Sequence, residues 1–124
     1  MTRINVIPVE ELHYKHLVAE YRELPRVFKL ARKTKNAPKE YVLGTGHVTF
    51  FYDKLGFLFD RQCDLVAEML KRGYKPTLDP YELYEKWRDE KSSLWNEYTP
   101  TQEAMIINRN RIEDRLNDME KRDV

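Results

Sequence analysis

The chain has 124 residues, a length that fits a single domain, which we take to span residues 1–124. Hydrophobic residues make up 41% and charged residues 35%, a composition typical of a folded globular protein rather than a disordered one. The sequence shows neither a run of the ~20 apolar residues that a membrane helix needs nor a signal peptide. We therefore expect a cytoplasmic protein with no membrane partner.

The first helical pattern runs from about residue 10 to residue 35. Its apolar positions recur at helical spacing, and they are Leu17, Tyr21, Leu24, Phe28 and Ala31. Pro25 interrupts the pattern, and because proline removes one helix hydrogen bond and crowds the preceding turn, it predicts a kink there. The glycine-containing stretch that follows, up to Gly46, reads as a loop.

The same segment carries a dense excess of positive charge, although the net charge of the whole chain is only +1. Glu23 is the one acidic residue among these basic residues: Arg22, Arg26, Lys29, Arg32, Lys33 and Lys35. Such a basic stripe is the electrostatic pattern expected of a surface that binds nucleic-acid phosphates. A solvated helix face would look the same.

A second helix is predicted over Leu55–Arg72, with a glycine at position 73 suited to its C-terminal cap. Its expected inward residues are Leu55, Leu58, Phe59, Val66, Met69 and Leu70. Residues 74–98, rich in aromatic and acidic side chains, read as a long connection with one short helix.

A third helix has a start signal in "TPTQ", with Thr99 as the cap, Pro100 at the first helical position and Gln102 in a capping box. Its buried stripe is Met105, Ile112, Leu116 and Met119, and three arginines follow a neighbouring face: Arg111, Arg115 and Arg122. Since no segment reads as a strand, we predict an all-α fold, a single compact domain of three main helices with the first kinked near Pro25.

Metal chemistry has little support in the sequence. Cys63 is the only cysteine and lies within an apolar helical pattern, so we expect it to be a reduced core residue. The histidines at positions 13, 16 and 47 have no ligand spacing around it. We predict no metal and no cofactor.

Four separated blocks, in the same order, resemble the phage-type pyrimidine-dimer DNA glycosylase family, the dimer-specific endonuclease V family. These blocks are "MTRIN", "HLVAEYRELPRVF", "LGTGHVTFFYDKL" and "AEMLKRGY". The resemblance implies a monomeric glycosylase with an attached abasic-site lyase, which acts on duplex DNA containing damage and uses no metal or cofactor. An aromatic C-terminal tail of that family has no counterpart here, so lesion preference follows less directly than lyase chemistry.

The resemblance also implies residue roles. Removal of Met1 would leave the α-amine of Thr2 as the nucleophile, and Glu23 matches the essential carboxylate of the family. Three arginines match those around the damaged site: Arg3, Arg22 and Arg26. Further DNA contacts are expected at Arg32, Lys33, Lys71, Arg72, Arg111 and Arg115, the last replacing a lysine. His16 shares a helix face with Glu23 and either borders the site or is structural.

The chemistry is consistent with these residue types. An α-amino group has a pKa of about 7.7–8.0, well below that of lysine, and nearby arginines favour its neutral, nucleophilic form. Attack on the sugar C1′ displaces the base and leaves an iminium. A carboxylate such as that of Glu23 can then remove the acidified C2′ proton, so that the 3′ phosphate leaves by β-elimination.

Other interpretations stay open at this point. Glu23 could simply form a weak helix-surface ion pair with Arg26. The protein could be a glycosylase or lyase for other base damage or for abasic sites. It could also be a non-catalytic DNA-binding module or a protein-interaction domain, although the latter leaves the clustered arginines unexplained.

Overall fold

The structure is a computed structural model that describes residues 3–122, without the side chain of Arg122. Within this range all regular elements are helical, which confirms the all-α prediction. They are α1 (Tyr14–Glu23), α2 (Pro25–Leu30), α3 (His47–Phe50), α4 (Leu55–Lys71), α5 (Pro80–Trp87) and α6 (Gln102–Arg122), with 3-10 turns at Val9–Glu11 and Ser92–Leu94. Among them, no helix is long and apolar enough to span a membrane.

The predicted kink lies where α1 ends and α2 begins, with only Leu24 between them. Because Pro25 has no N–H, the carbonyl of Tyr21 loses its helical hydrogen bond. The buried side chain of Gln62 replaces that donor, since its Nε2 lies 3.0 Å from Tyr21 O. The kink is thus stabilised by α4, and it leaves Glu23 and Arg26 on either side of the bend.

The first helical segment is shorter than predicted. It begins at Tyr14 rather than near residue 10, and α2 ends at Leu30 rather than near residue 35. Ala31 turns to an extended conformation, and Lys91 Nζ lies 2.7–2.9 Å from the carbonyls that end α2, those of Phe28, Lys29 and Ala31. The predicted DNA contacts Arg32 and Lys33 therefore lie on an exposed loop instead of a helix.

The second predicted helix is confirmed to within one residue at its C-terminal end. Gly73 follows it with a φ of 90°, the left-handed conformation expected of a C-terminal cap glycine. Leu55, Leu58 and Met69 are buried as predicted. Leu70 was assigned to the wrong face, since it is 59% exposed, and fully buried Leu65 fills the core instead. Cys63 is only partly buried.

The start of α6 was predicted two residues too early. Thr101 caps the helix, because its Oγ1 accepts a hydrogen bond from Ala104 N at 3.0 Å, and the helix begins at Gln102. Thr99 and Pro100 therefore precede the helix. Both threonines have the side-chain hydroxyl that a helix cap needs. Ile112 is buried as predicted, whereas Met105, Leu116 and Met119 are half-buried.

The N-terminal segment Ile4–Ile7 lies in the core outside any helix and is almost fully buried. Short helix α3, which the sequence analysis did not predict, lies against it and contributes buried His47 and Phe50. Gly46 caps α3 with a φ of 87°. The predicted short helix in residues 74–98 is α5, which packs on α4 and α2.

Candidate active site

A pocket of about 290 Å³ opens between the N-terminal segment, α1 and α6. Five of the predicted site residues line it, although they come from three separate parts of the chain: Arg3, His16, Glu23, Arg111 and Arg115. The rest of the wall is formed by Asn5, Ala19, Glu20, Ile112, Asp118 and Met119. The structure therefore brings together at one concave surface residues that are more than a hundred positions apart in sequence.

Glu23 is the last residue of α1, and its side chain is 30% exposed at the pocket. Its Oε2 accepts a hydrogen bond from Arg26 NH1 at 2.8 Å, across the kink at Pro25. The ion pair considered in the sequence analysis therefore exists. Because Arg26 is 67% exposed, the pair adds little stability by itself.

The opposite side of the pocket is positively charged. Burial and the nearby charges of Arg111 and Arg115 lower the pKa of the Arg3 guanidinium from its usual value. Arg111 and Arg115 follow one another by one helical turn on α6, so their side chains share a face. This wall would attract an anion and would disfavour a second positive charge, including a protonated amine.

His16 lines the pocket from the first turn of α1. Burial lowers its pKa, and the neighbouring His13 and Arg115 lower it further. Its ring is edge-on to that of His13, with centroids 6.1 Å apart. The imidazole thus favours its neutral form at the edge of the site.

Glu20 also lines the pocket, but its carboxylate is hydrogen-bonded within a buried network. It is 1% exposed, and its oxygens accept hydrogen bonds from Arg61 Nε at 2.7 Å, Arg61 NH2 at 3.1 Å and Asn5 Nδ2 at 2.8 Å. Arg61 NH1 also donates to the carbonyl of Ile7. Glu20 is therefore structural, and this leaves Glu23 as the carboxylate of α1 that can act in the pocket.

Asn108 extends this network from α6. Its Nδ2 donates to Asn5 Oδ1 at 2.7 Å, while its Oδ1 accepts from Val6 N at 2.7 Å and Ile7 N at 3.2 Å. The sequence analysis missed this residue. A signal was present, because Asn108 lies at helical spacing between Met105 and Ile112 and interrupts an apolar stripe.

Among the described residues, the other predicted site residues do not line this pocket. Four are exposed cations near α1 and α2 or at the end of α4: Arg22, Arg32, Lys33 and Lys71. Arg72 donates from Nε to Glu68 Oε1 at 2.9 Å and from NH2 to the carbonyls of Val9 and Glu10, both at 3.3 Å. Thr2 lies outside the described residues.

The residues between positions 3 and 122 include no group of three or more histidine, cysteine, aspartate or glutamate side chains suited to holding a metal ion. The polar groups of the pocket are instead guanidinium, carboxylate, imidazole and amide groups. Such a set can bind an anionic ligand and move a proton, which is what acid–base chemistry on a phosphodiester substrate requires.

Residues 1–82 match the family model described as pyrimidine dimer DNA glycosylase. The chain belongs to this family. It is therefore a DNA repair enzyme of the glycosylase class, and damaged DNA is its substrate. The match includes the N-terminal segment and α1, with Arg3, His16 and Glu23. The wall that α6 contributes, with Arg111 and Arg115, lies beyond the matched residues.

Proposed function

We propose that this pyrimidine dimer DNA glycosylase also cleaves the DNA strand, through an imine between the α-amine of Thr2 and the sugar of the damaged nucleotide. The substrate is a UV-induced pyrimidine dimer in duplex DNA, and the protein acts as a monomer in the cytoplasm without a metal or cofactor. The observation that carries the proposal is the convergence of Arg3, Glu23 and the arginines of α6 on one pocket.

The position of Arg3 supports the role that the resemblance implies for Thr2. Residue 2 is joined by one peptide bond to Arg3, and consecutive Cα atoms are about 3.8 Å apart. After removal of Met1, the amine of Thr2 is therefore within reach of a pocket that Arg3 lines. The surrounding guanidinium groups disfavour its protonated form, so a nucleophilic neutral amine is available near neutral pH.

The reaction then runs in two stages. The amine nitrogen attacks C1′, and the base leaves with the electron pair of the glycosidic bond and takes up a proton. Opening of the sugar ring gives an iminium that joins the protein to C1′. Glu23 removes the proton from C2′, and the electron pair released there expels the 3′ phosphate.

Arg22, Arg26, Arg32 and Lys33 are exposed cations of α1, α2 and the loop that follows α2. We propose that they bind the phosphate backbone, with Lys71 and Arg72 as secondary contacts. The pocket would receive a nucleotide extruded from the duplex, which is easier at damaged sites where stacking and pairing are already weakened.

Borohydride trapping on a duplex with one thymine dimer tests the proposal. We expect a covalent adduct that maps to the N-terminal peptide of a chain lacking Met1. The matched control is the chain with Met1 retained, in which the Thr2 nitrogen lies in a peptide bond and no adduct at Thr2 can form. An adduct with an abasic duplex but none with the dimer would reject the dimer as substrate. No adduct with either duplex would reject the imine mechanism.

Binding to undamaged duplex DNA tests the role of α6. Replacing Arg115 by Gln should weaken binding and make the slope of log affinity against log salt shallower by about 0.9, the value for one lost phosphate contact. Arg109→Gln is the matched control on the same helix, because Arg109 is bound to Glu11 at 2.9–3.0 Å. Fluorescence anisotropy over a salt series measures the affinity and its salt dependence for each variant. Equal slopes for the two variants would exclude a phosphate contact at Arg115.

A further inference from the structure

The N-terminal segment is held by side chains from distant parts of the fold. Ile4–Ile7 is buried and belongs to no helix. Backbone groups so deeply buried need partners, and helices or sheets do not supply them here. They come instead from single side chains 37 to 102 residues away: Tyr41, His47, Arg61 and Asn108.

His47 holds the part of this segment that is nearest to the site. Its Nε2 lies 2.8 Å from Ile4 N, and its Nδ1 lies 2.6 Å from Val42 O. A backbone N–H can only donate and a carbonyl can only accept. The ring must therefore be the neutral tautomer with its proton on Nδ1, accepting from Ile4 and donating to Val42.

The surroundings keep the ring neutral and fixed. His47 is 2% exposed, and the rings of Tyr41 and Phe51 contact it edge-on at centroid distances of 5.3 and 5.6 Å. The groups that face it electrostatically are Arg3, which opposes a second positive charge, and Glu20, which favours one. Burial dominates and lowers the pKa of His47.

We propose that His47 is a positioning residue for the N-terminal nucleophile. By accepting the Ile4 N–H it fixes the chain two residues after Thr2, and so directs the α-amine into the pocket that Arg3 lines. This rests on the proposed imine mechanism. Asn108 accepts hydrogen bonds from the amides of Val6 and Ile7 further along the segment, and so fixes its register as well. A displacement of about 1 Å at a reacting group can cost about a hundredfold in rate.

Two substitutions separate this role from a general contribution to stability. His47→Phe keeps a ring but removes the acceptor for Ile4, whereas the amide oxygen of His47→Gln can still accept from Ile4 N–H. Leu65→Ala serves as a control for stability, because Leu65 is a fully buried apolar residue of α4 whose side chain forms no hydrogen bond to the segment. Thermal unfolding is measured for all variants.

Each variant is then measured in two ways. The hydrogen-exchange rate of the Ile4 amide, measured without DNA, shows whether residue 47 still holds that amide. We expect the rate to rise about tenfold or more in His47→Phe but little in His47→Gln. Single-turnover borohydride trapping at saturating enzyme measures the rate at which the nucleophile forms the imine. We expect this rate to fall about tenfold to a hundredfold in His47→Phe alone. Equilibrium binding to undamaged duplex DNA, on which no imine can form, should be unchanged in every variant.

The outcomes distinguish this proposal from the imine mechanism on which it rests. Unchanged Ile4 exchange in His47→Phe would show that His47 does not hold the segment, and would overturn the proposal. Faster exchange with an unchanged trapping rate would also overturn it. So would a trapping loss in Leu65→Ala as large as that in His47→Phe at comparable loss of thermal stability. Absence of any adduct with the unmodified enzyme would reject the imine mechanism and the positioning role together, whatever the exchange rates.

Discussion

Replacing Glu23 by Gln should lower the rate of strand cleavage at an abasic site by about 10²–10⁴-fold, the usual contribution of a positioned general base. Glutamine keeps the shape of the side chain but cannot accept the C2′ proton. Formation of the iminium does not need that step, so borohydride trapping on the abasic duplex should persist. Single-turnover assays that follow the adduct and the cleaved strand in parallel measure the two steps separately.

Asp118 supplies the matched control for this experiment. It is the remaining acidic residue among those that line the pocket, since Glu20 is bound by Arg61 and Asn5. If Glu23 is the base, Asp118→Asn should cleave at nearly the normal rate. Loss of cleavage in Asp118→Asn with retention in Glu23→Gln would move the base to α6. Arg26→Gln tests whether the ion pair with Glu23 matters for orienting the carboxylate.

Apolar periodicity and local chemistry were enough to predict the helical framework. The spacing of Leu55, Leu58 and Met69 predicted α4 to within one residue, and Pro25 predicted the kink, because these signals depend on neighbours within a few positions. One helix end was predicted wrongly because a contact with a distant residue determines it. The end of α2 depends on Lys91, more than sixty positions away, which no local pattern could indicate.

The candidate site likewise combines residues that the sequence predicted with residues that it did not. Arg3, Glu23, Arg111 and Arg115 were expected from the resemblance, and His16 was considered because of its position on the helix face of Glu23. The fold places all five at one pocket. The buried network of hydrogen bonds behind them, with Asn5, Asn108 and Arg61, was not predicted. The hydrogen bonds from Arg61 to Glu20 and from Asn108 to Asn5 join residues 41 and 103 positions apart, so a sequence pattern gives at most the hint that a polar residue interrupts an apolar stripe.

That buried network is the basis for the largest stability effect we expect. Replacing Arg61 by Met should destabilise the protein by about 3–5 kcal/mol, because it leaves the carboxylate of Glu20 buried without its cationic partner. Glu20 is 1% exposed and Arg61 is 6% exposed, so water replaces neither partner in the folded state. For a domain of this size, the loss corresponds to a fall of about 10–20 °C in the unfolding temperature.

The double variant Glu20→Gln with Arg61→Met decides whether the uncompensated charge is the cause. Removing the charge as well should recover much of the lost stability, since a buried ion pair can often be replaced by neutral groups at little cost. Urea unfolding of the two single variants and the double variant gives the coupling energy. Additive losses would mean that the two side chains stabilise the fold independently. Recovery in the double variant would locate the cost in the Glu20 carboxylate, which lies beneath the pocket one helical turn before Glu23.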